Sequence, residues 1–552
     1  ATGEPDSNAV LAGPGRELLD HRSNRCSRLG GNGGHSFMLP PILKDMEWPR
    51  ADADHLLLSS AAMQGLEQEL FASGLPVAAL MEHAGLGLAA AVRQAPQLQQ
   101  RGVVVLVGPG HNGGDGLVVA RELHNNGIEV RIWSPYAGHK PLTAEHLRHA
   151  EWLGIPRLQQ PPAAEESALW LDALFGIQQQ RPLDGEVAQL IQQRNDSGQE
   201  LWSIDGPSGL CSDSGRPIGA VTARCRRSLV VGCWKQGLWQ DEAMAWVGQQ
   251  QRVPLNLPMA VLQRWGESAV RGLWSSDRCQ NEAPWPQLAA AASKHGRGRL
   301  RVLAGSSAYP GAARLALEGA SASGLGWLEA VLPQSLEQQL WQVLPHVVLK
   351  DATSPLERLD AIAYGPGLGS GPLRPDLQTF PGLLLLDADG VNRLAAQGDG
   401  RHWLLHRQGP TWLTPHRAEF NRLFPELVAC TPLEAAHQAA LASGCWVLLK
   451  GARTVIASPQ GPCRQILESS CRAARAGLGD VLAGYAAGLG AQGFGASGDG
   501  QHTDLEGLLA LAALEHASAG MRCSETGRGT ATPLAVAHAL QRSGNQQIKA
   551  ML

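Results

Sequence analysis

No CxxC pair and no His/Cys run at metal-ligand spacing occurs in the 552 residues, although ten are cysteine. That argues against a zinc site and a disulfide framework, and for a reducing cytoplasm. No apolar run is long enough to span a membrane, and the first residues lack a charged-then-apolar signal pattern. Basic clusters of the kind nucleic acid demands are missing, and the formal net charge is −4. No partnership with nucleic acid or membrane is therefore expected. Charged residues make up only 17% of the chain and hydrophobic ones 44%, as in soluble globular proteins. The two halves share no sequence repeat, so two different folds are expected rather than a duplication.

What is present reads as α/β. Residues 1–45 are rich in Gly, Ser, Asn and Arg and read as an irregular extension, and Gly30-Gly31-Asn32-Gly33-Gly34 within them as linker. A first domain is expected over 46–265. Ser59-Ser60 caps a helix over 58–72. Val103-Val104-Val105-Leu106-Val107 is a continuous apolar run, as in a strand buried on both faces of a parallel sheet. It enters Gly108-Pro109-Gly110-His111-Asn112-Gly113-Gly114-Asp115-Gly116, then a helix through Leu117, Ala120 and Leu123, then a strand at Val130–Trp133. A Gly-rich first turn in such a βαβ unit is the usual place for a nucleotide phosphate. Two further strands end in carboxylates, Asp172 and Asp205, where ligands of open α/β sheets bind.

Residues 266–290 mix Trp, Pro, Ser, Asn and charges and read as a linker. A second domain, 291–545, follows, with its own sheet and core expected. Strands near 299–303 and 328–332 are followed by strands at 360–364, 383–387, 411–414 and 446–449, and each of these four leads into a loop of chemical interest. Its organising stretch is Gly477-Leu478-Gly479-Asp480. Val481, Leu482, Tyr485 and Leu489 share one helical face, so the glycines sit at a helix N-terminus, where free N–H groups and the dipole favour an anion. A carboxylate beside bound phosphate is repelled unless it has a task, and taking a proton from a hydroxyl that attacks phosphorus is one.

The ordered set of motifs is specific. Asn112-Gly113-Gly114-Asp115-Gly116 with Asp205-Gly206-Pro207-Ser208-Gly209 resembles the NAD(P)H-hydrate epimerase domain. Tyr309-Pro310-Gly311-Ala312, Gly365-Pro366-Gly367-Leu368-Gly369, Asp387-Ala388-Asp389, Thr414-Pro415-His416 and Gly477-Leu478-Gly479-Asp480 resemble the ADP-dependent NAD(P)H-hydrate dehydratases. The tandem, over about 50–540, resembles the bacterial bifunctional NAD(P)H-hydrate repair enzymes. The resemblance implies an N-terminal Rossmann-like three-layer domain and a C-terminal ribokinase-like α/β domain. It implies epimerisation of the R and S hydrates of NADH and NADPH, and dehydration of the S form with ADP, giving AMP and phosphate. It also implies K+ in the first domain, Mg2+ with ADP in the second, and a homo-oligomer.

Residue by residue, the resemblance puts epimerase substrate against His111-Asn112-Gly113-Gly114-Asp115 and Gly176-Ile177-Gln178-Gln179-Gln180-Arg181-Pro182, with Asp205 as acid/base. Asn112, Asp172 and Ser208 match the potassium ligands; oxygen donors with one carboxylate suit a hard monovalent ion. Dehydratase substrate is expected at Gly367 and His416-Arg417-Ala418-Glu419-Phe420-Asn421-Arg422, with Asp480 catalytic. Nucleotide is expected at Lys450-Gly451-Ala452-Arg453-Thr454, Ser470 and Ala476-Gly477-Leu478-Gly479. The chain departs from the family at His111, Gly206, Ile177-Gln178-Gln179, Ser470 and Leu478. Two other readings stand beside this one: a ribokinase-like kinase of a small vitamin precursor, and a first domain that only binds.

Overall fold

The Val103–Val107 strand is fully buried, as its uninterrupted apolar run demands, and lies inside a seven-stranded sheet. The computed structural model describes residues 48–279, 283–497, 504–525, 527 and 529–551; the expected extension over 1–45 lies outside them. The sheet runs Arg157–Leu158, Val130–Trp133, Val103–Val107, Leu169–Ala173, Leu201–Ile204, Arg227–Val231 and Gln249–Val253, with every pairing parallel. The chain winds outward from Val103–Val107 in one direction and resumes beside it at Leu169–Ala173. That reversal opens a crevice at the carboxyl ends of these two strands, where ligands of such sheets bind.

The helix expected from Leu117 starts six residues earlier, at His111. Glycines allow this. A Cβ on Gly108 would lie 1.6 Å from the Leu174 carbonyl oxygen, and one on Gly113 would lie 2.1 Å from the Gly108 oxygen. Asn112 to Asp115 are therefore in the first turn and a half of a helix, not in an open loop. Ser59 caps the Ser60–Ala72 helix, its hydroxyl accepting from the Ala62 N–H at 3.1 Å.

The second sheet has the expected parallel strands, in the order Trp327–Val331, Arg299–Leu303, Ala361–Tyr364, Leu383–Leu386, Thr411–Leu413 and Trp446–Leu449, with Val348–Leu349, which was not expected, beside Trp327–Val331. Val455–Ala457 and Arg464–Ile466 extend it antiparallel. The Leu478–Ser497 helix packs tightly on Pro310–Ala322. A Cβ on Gly484 would lie 1.8 Å from the Ala316 oxygen, so only small residues permit the contact that seats Asp480. Among the described residues no helix is long and apolar enough to cross a membrane.

The expectation of a separate sheet and core for each half is corrected in part: the seven-stranded sheet and its cores belong to the first half alone, but the second sheet is shared. Val270–Leu273, Leu56–Leu58 and Trp234–Lys235, all from before or within the expected linker, continue the second sheet beyond Arg464–Ile466. Leu57, Val230, Trp234, Leu238, Trp239 and Val270 share one apolar core with Leu386, Phe420, Leu449 and Val455. The linker reading failed because Val270–Leu273 is too short and too mixed to show a period. A fragment ending at residue 265 would expose this core, at a cost of about 1.5–3 kcal/mol for each leucine-sized side chain. Such a fragment is expected to aggregate on expression while the full chain stays soluble. A monodisperse fragment with a sharp melting transition would show that the halves separate after all.

Candidate active sites

The first site lies at the crevice. Asp205 ends the Leu201–Ile204 strand in a left-handed conformation, φ +63°, which a non-glycine residue adopts only under constraint. The constraint is visible. The Asp205 N–H donates to the Leu229 carbonyl at 2.7 Å, and its Oδ1 accepts from the Val231 N–H at 3.1 Å and pairs with Lys235 Nζ at 2.6 Å. Gly206, φ +148°, completes a turn that a side chain would strain. Lys235 is 1% exposed.

Asp205, Lys235, Asp115, Glu67 and His111 line one recess of about 90 Å³. Burial, then the Asp205 and Glu67 charges, hold the Asp115 carboxyl well above its usual range. Burial and Asp205 push Glu67 up to about 7, with Lys235 pulling it down. Proton-holding acids thus stand beside an ion-paired carboxylate, the separation of roles that acid–base chemistry needs. Sequence reasoning missed Lys235 and Glu67. Neither sits in a motif, and Glu67 reads as the polar side of a helix.

The expected cation ligands partly converge. Ser208 donates its hydroxyl to Asp172 Oδ1 at 2.7 Å and its N–H to Oδ2 at 2.8 Å, and Asp172 is fully buried. Burial raises the Asp172 carboxyl to about 6, against the pull of these hydrogen bonds. Asn112 packs beside Gly176, in the loop after Asp172. Its buried Nδ2 has no hydrogen-bond partner among the described residues. A half-turn of the amide would present oxygen there instead, so the donor set fits a monovalent cation. Gln179 ties the 176–182 loop to this corner, its Oε1 accepting from the Gly209 N–H at 2.8 Å. Ile177 packs on the N-terminal helices, and Arg181 and Pro182 are exposed.

A larger cleft, about 780 Å³, lies at the amino ends of the strands around Arg101, Arg194 and Glu200. Arg194 donates there through Nη1 and Nη2 to the carbonyls of Ala164, Glu166, Ala168 and Glu200, each at 2.8 Å. This arginine ties strand ends together.

In the second half, Asp480 stands in the first turn of Leu478–Ser497. Gly477 precedes it with φ +92°. Burial and Asp387, with smaller pushes from Asp389 and Glu419, raise the Asp480 carboxyl to about 6 although Lys450 opposes them. Lys450 Nζ binds Asp387 Oδ1 at 2.7 Å, and Thr414 donates to the same oxygen at 2.8 Å. A Cβ on Gly479 would lie 3.3 Å from Lys450 Nζ, which ties the glycine stretch to the Lys450–Asp387 pair. Asp389 Oδ2 accepts from the Gly369 N–H at 2.7 Å, linking the Gly365–Gly369 loop to the same place. Ala388 between the two aspartates is also left-handed, φ +46°.

His416 caps the next helix, and its Nε2 meets Glu419 Oε1 at 3.0 Å. Arg422 holds Asn392 Oδ1 at 2.9 Å. Two residues of the expected substrate segment face elsewhere. Phe420 is fully buried in the apolar core, and Arg417 donates to the Val428 and Cys430 carbonyls. The two lie three residues apart and so share one helix face, the Arg417 guanidinium 5.8 Å from the Phe420 ring centre.

A family model described as YjeF-related protein N-terminus matches residues 77–237, and one described as NAD(P)H-hydrate dehydratase matches residues 300–542. The bifunctional NAD(P)H-hydrate repair enzyme of Gloeobacter violaceus is 41% identical over 463 residues, 79% of this chain and 89% of that protein. The chain belongs to this repair-enzyme family. A second NAD(P)H-hydrate repair enzyme, from Synechocystis, is 39% identical over 85% of this chain and 91% of its own length. Among solved structures, an ADP/ATP-dependent NAD(P)H-hydrate dehydratase from Bacillus subtilis, co-crystallised with ATP/Mg2+, covers 50% of this chain and 97% of its own, at 27% identity and a TM-score of 0.41. The epimerase-like and dehydratase-like motifs of the repair enzymes thus fall on the two matched segments in the expected order.

Proposed function

We infer that this chain, a bifunctional NAD(P)H-hydrate repair enzyme, epimerises hydrated NADH and NADPH around Asp205 and dehydrates the S form around Asp480. The observation that carries the second assignment is Asp480 itself: a carboxylate at a helix N-terminus, beside the Lys450–Asp387 pair and the glycines of an anion-binding turn. Asp480 takes the proton of the ring hydroxyl as its oxygen attacks the terminal phosphorus of ADP. AMP leaves and the phosphate ester forms; phosphate then departs with the C–O electron pair while the neighbouring ring carbon gives up a proton, and the C–H pair becomes the double bond. A hydroxyl is a poor leaving group, and its phosphate ester is a good one. Mg2+ bound with ADP would spread the developing phosphoryl charge. Lys450 to Thr454 and the turn at 476–479 hold the nucleotide, and His416, Glu419 and Arg422 face the substrate.

In the first half, Asp205 serves as the acid/base at the hydroxylated carbon, with the raised Asp115 and Glu67 carboxyls holding protons beside it. Asn112, Asp172 and Ser208 would hold K+, whose charge favours ordered oxygen donors at this corner. The described cysteines are all free, which supports a cytoplasmic setting. The test is to incubate purified protein with mixed hydrate epimers and ADP. Full recovery of the reduced-nicotinamide absorbance, with AMP and free phosphate in step, is expected. Accumulation of a stable phosphorylated product would instead identify a kinase.

The cation assignment has its own test. Asp172→Ala removes the one carboxylate of the set, and neutral dipoles alone hold a monovalent ion poorly against water. R-to-S conversion should fall by about tenfold or more and lose its dependence on added K+. Dehydration of pure S epimer should be unchanged. A variant that epimerises normally would return Asp172 to the role of a turn residue held by Ser208.

A further inference from the structure

The expected nucleotide loop of the second half is held by a residue of the first. Asp241 follows the Trp234–Lys235 strand, at the start of a short 3-10 turn. Its Oδ1 accepts from the Arg453 N–H at 2.7 Å, and its Oδ2 accepts from the Ala452 N–H at 3.1 Å. A Cβ on Gly451 would lie 2.7 Å from Asp241 Oδ2, so glycine is what lets the carboxylate come this close. The contact is reinforced on both sides. The Arg453 guanidinium lies over the Trp239 ring at 5.1 Å, and Gln465 Nε2 donates to the Trp239 carbonyl at 3.2 Å. Gly451 and Ala452 are otherwise exposed, and Lys450 just before them reaches the Asp387 pair beside Asp480.

We propose that Asp241 is a positioning residue of the dehydratase site: the epimerase half supplies the carboxylate that fixes the 451–454 loop, and so sets the affinity for ADP. This rests on the reading of Lys450 to Thr454 as the nucleotide segment. An exposed loop samples many conformations, and freezing it on binding weakens the ligand. Two hydrogen bonds donated by consecutive main-chain N–H groups to one carboxylate freeze it beforehand. The anchor does not touch the nucleotide's reacting atoms. Its own negative charge would repel the phosphates, so it acts through the amides it orients. A bond confined to joining the halves could sit anywhere along their shared core. This one falls on the loop between Lys450 and Thr454.

The test compares Asp241→Ala, Asp241→Asn and Thr454→Ala in the full chain, with ADP and pure S epimer. Thr454 is the loop's internal tie, its Oγ1 accepting from the Gly451 N–H at 3.4 Å. Asp241→Ala should raise the KM for ADP by about tenfold, with kcat within about twofold and epimerisation unchanged. Asp241→Asn, which keeps one acceptor, should fall between wild type and Asp241→Ala. If only Thr454→Ala raises the KM for ADP, the loop reading stands and the anchor is overturned. If neither does, the loop reading falls and takes the anchor with it. A uniform loss of kcat and epimerisation in Asp241→Ala, with a lowered Tm, would make Asp241 a structural bond between the halves and overturn the proposal as well.

Discussion

Asp480→Asn should slow ADP-driven dehydration roughly a thousandfold while ADP still binds, the middle of the range for removing a general base. The amide is nearly isosteric, so the helix start and the contact of Gly479 with Lys450 survive, but it cannot accept the hydroxyl proton. The environment of Asp480 suits a base at neutral pH. Burial and the neighbouring Asp387 lift its carboxyl to about 6, high enough to hold a proton usefully and low enough to be ionised at pH 7 to 8. The sign of the pH dependence follows. Below about 6 the base is protonated, so kcat/KM for dehydration should fall about tenfold per pH unit there and level off above it. Release of AMP and phosphate reports the step directly. Near-normal turnover in Asp480→Asn, or a flat acid limb, would remove Asp480 from proton transfer. Epimerisation, which belongs to the other half, should be untouched by the substitution.

Much of this architecture was legible because parallel strands buried on both faces announce themselves. Val103–Val107, Leu383–Leu386 and Trp446–Leu449 are unbroken apolar runs, and each leads into a loop whose Gly, Asp or Lys residues prove to lie together. The close packing of 310–322 on 478–497 rests on small residues such as Gly484, but those residues do not themselves say which helix packs on which. Illegible were the strands that join the halves. Leu56–Leu58, Trp234–Lys235 and Val270–Leu273 are two to four residues long, and nothing local distinguishes them from coil. Asp241 and Lys235 escaped for a related reason. Each is a single charged residue whose partner lies far away or across a turn, and single charges carry no period. The helix beginning at His111 escaped because glycine normally argues against helix; here the close approach to Gly108 and Leu174 overrides that preference.

Lys235→Met should reduce epimerisation by about a hundredfold at neutral pH, with the loss concentrated in kcat. The ammonium is buried, within 2.6 Å of Asp205 Oδ1, and also bonds the Val231 carbonyl. It is the positive charge that opposes the raised proton affinity of both Glu67 and Asp115. Methionine fills the same channel but leaves three carboxyl groups facing one another in a small recess. Such groups do not all ionise together, so the protons already held there are kept to higher pH than in the wild type. Glu67, already at about 7, would move higher. The acid limb of the epimerisation profile should therefore shift to higher pH, and part of the lost rate should return as pH is raised. A purely structural role for Lys235 predicts otherwise: a lower Tm and a loss of rate that is the same at every pH. Comparison with Lys235→Arg separates charge from shape. Arginine keeps the charge and should hold the wild-type acid limb even if its bulk lowers the rate. If Lys235→Met and wild type share one pH profile, the lysine does not set the proton inventory of the recess. Asp205 would then owe its geometry to the Leu229 and Val231 backbone bonds that hold it at φ +63°.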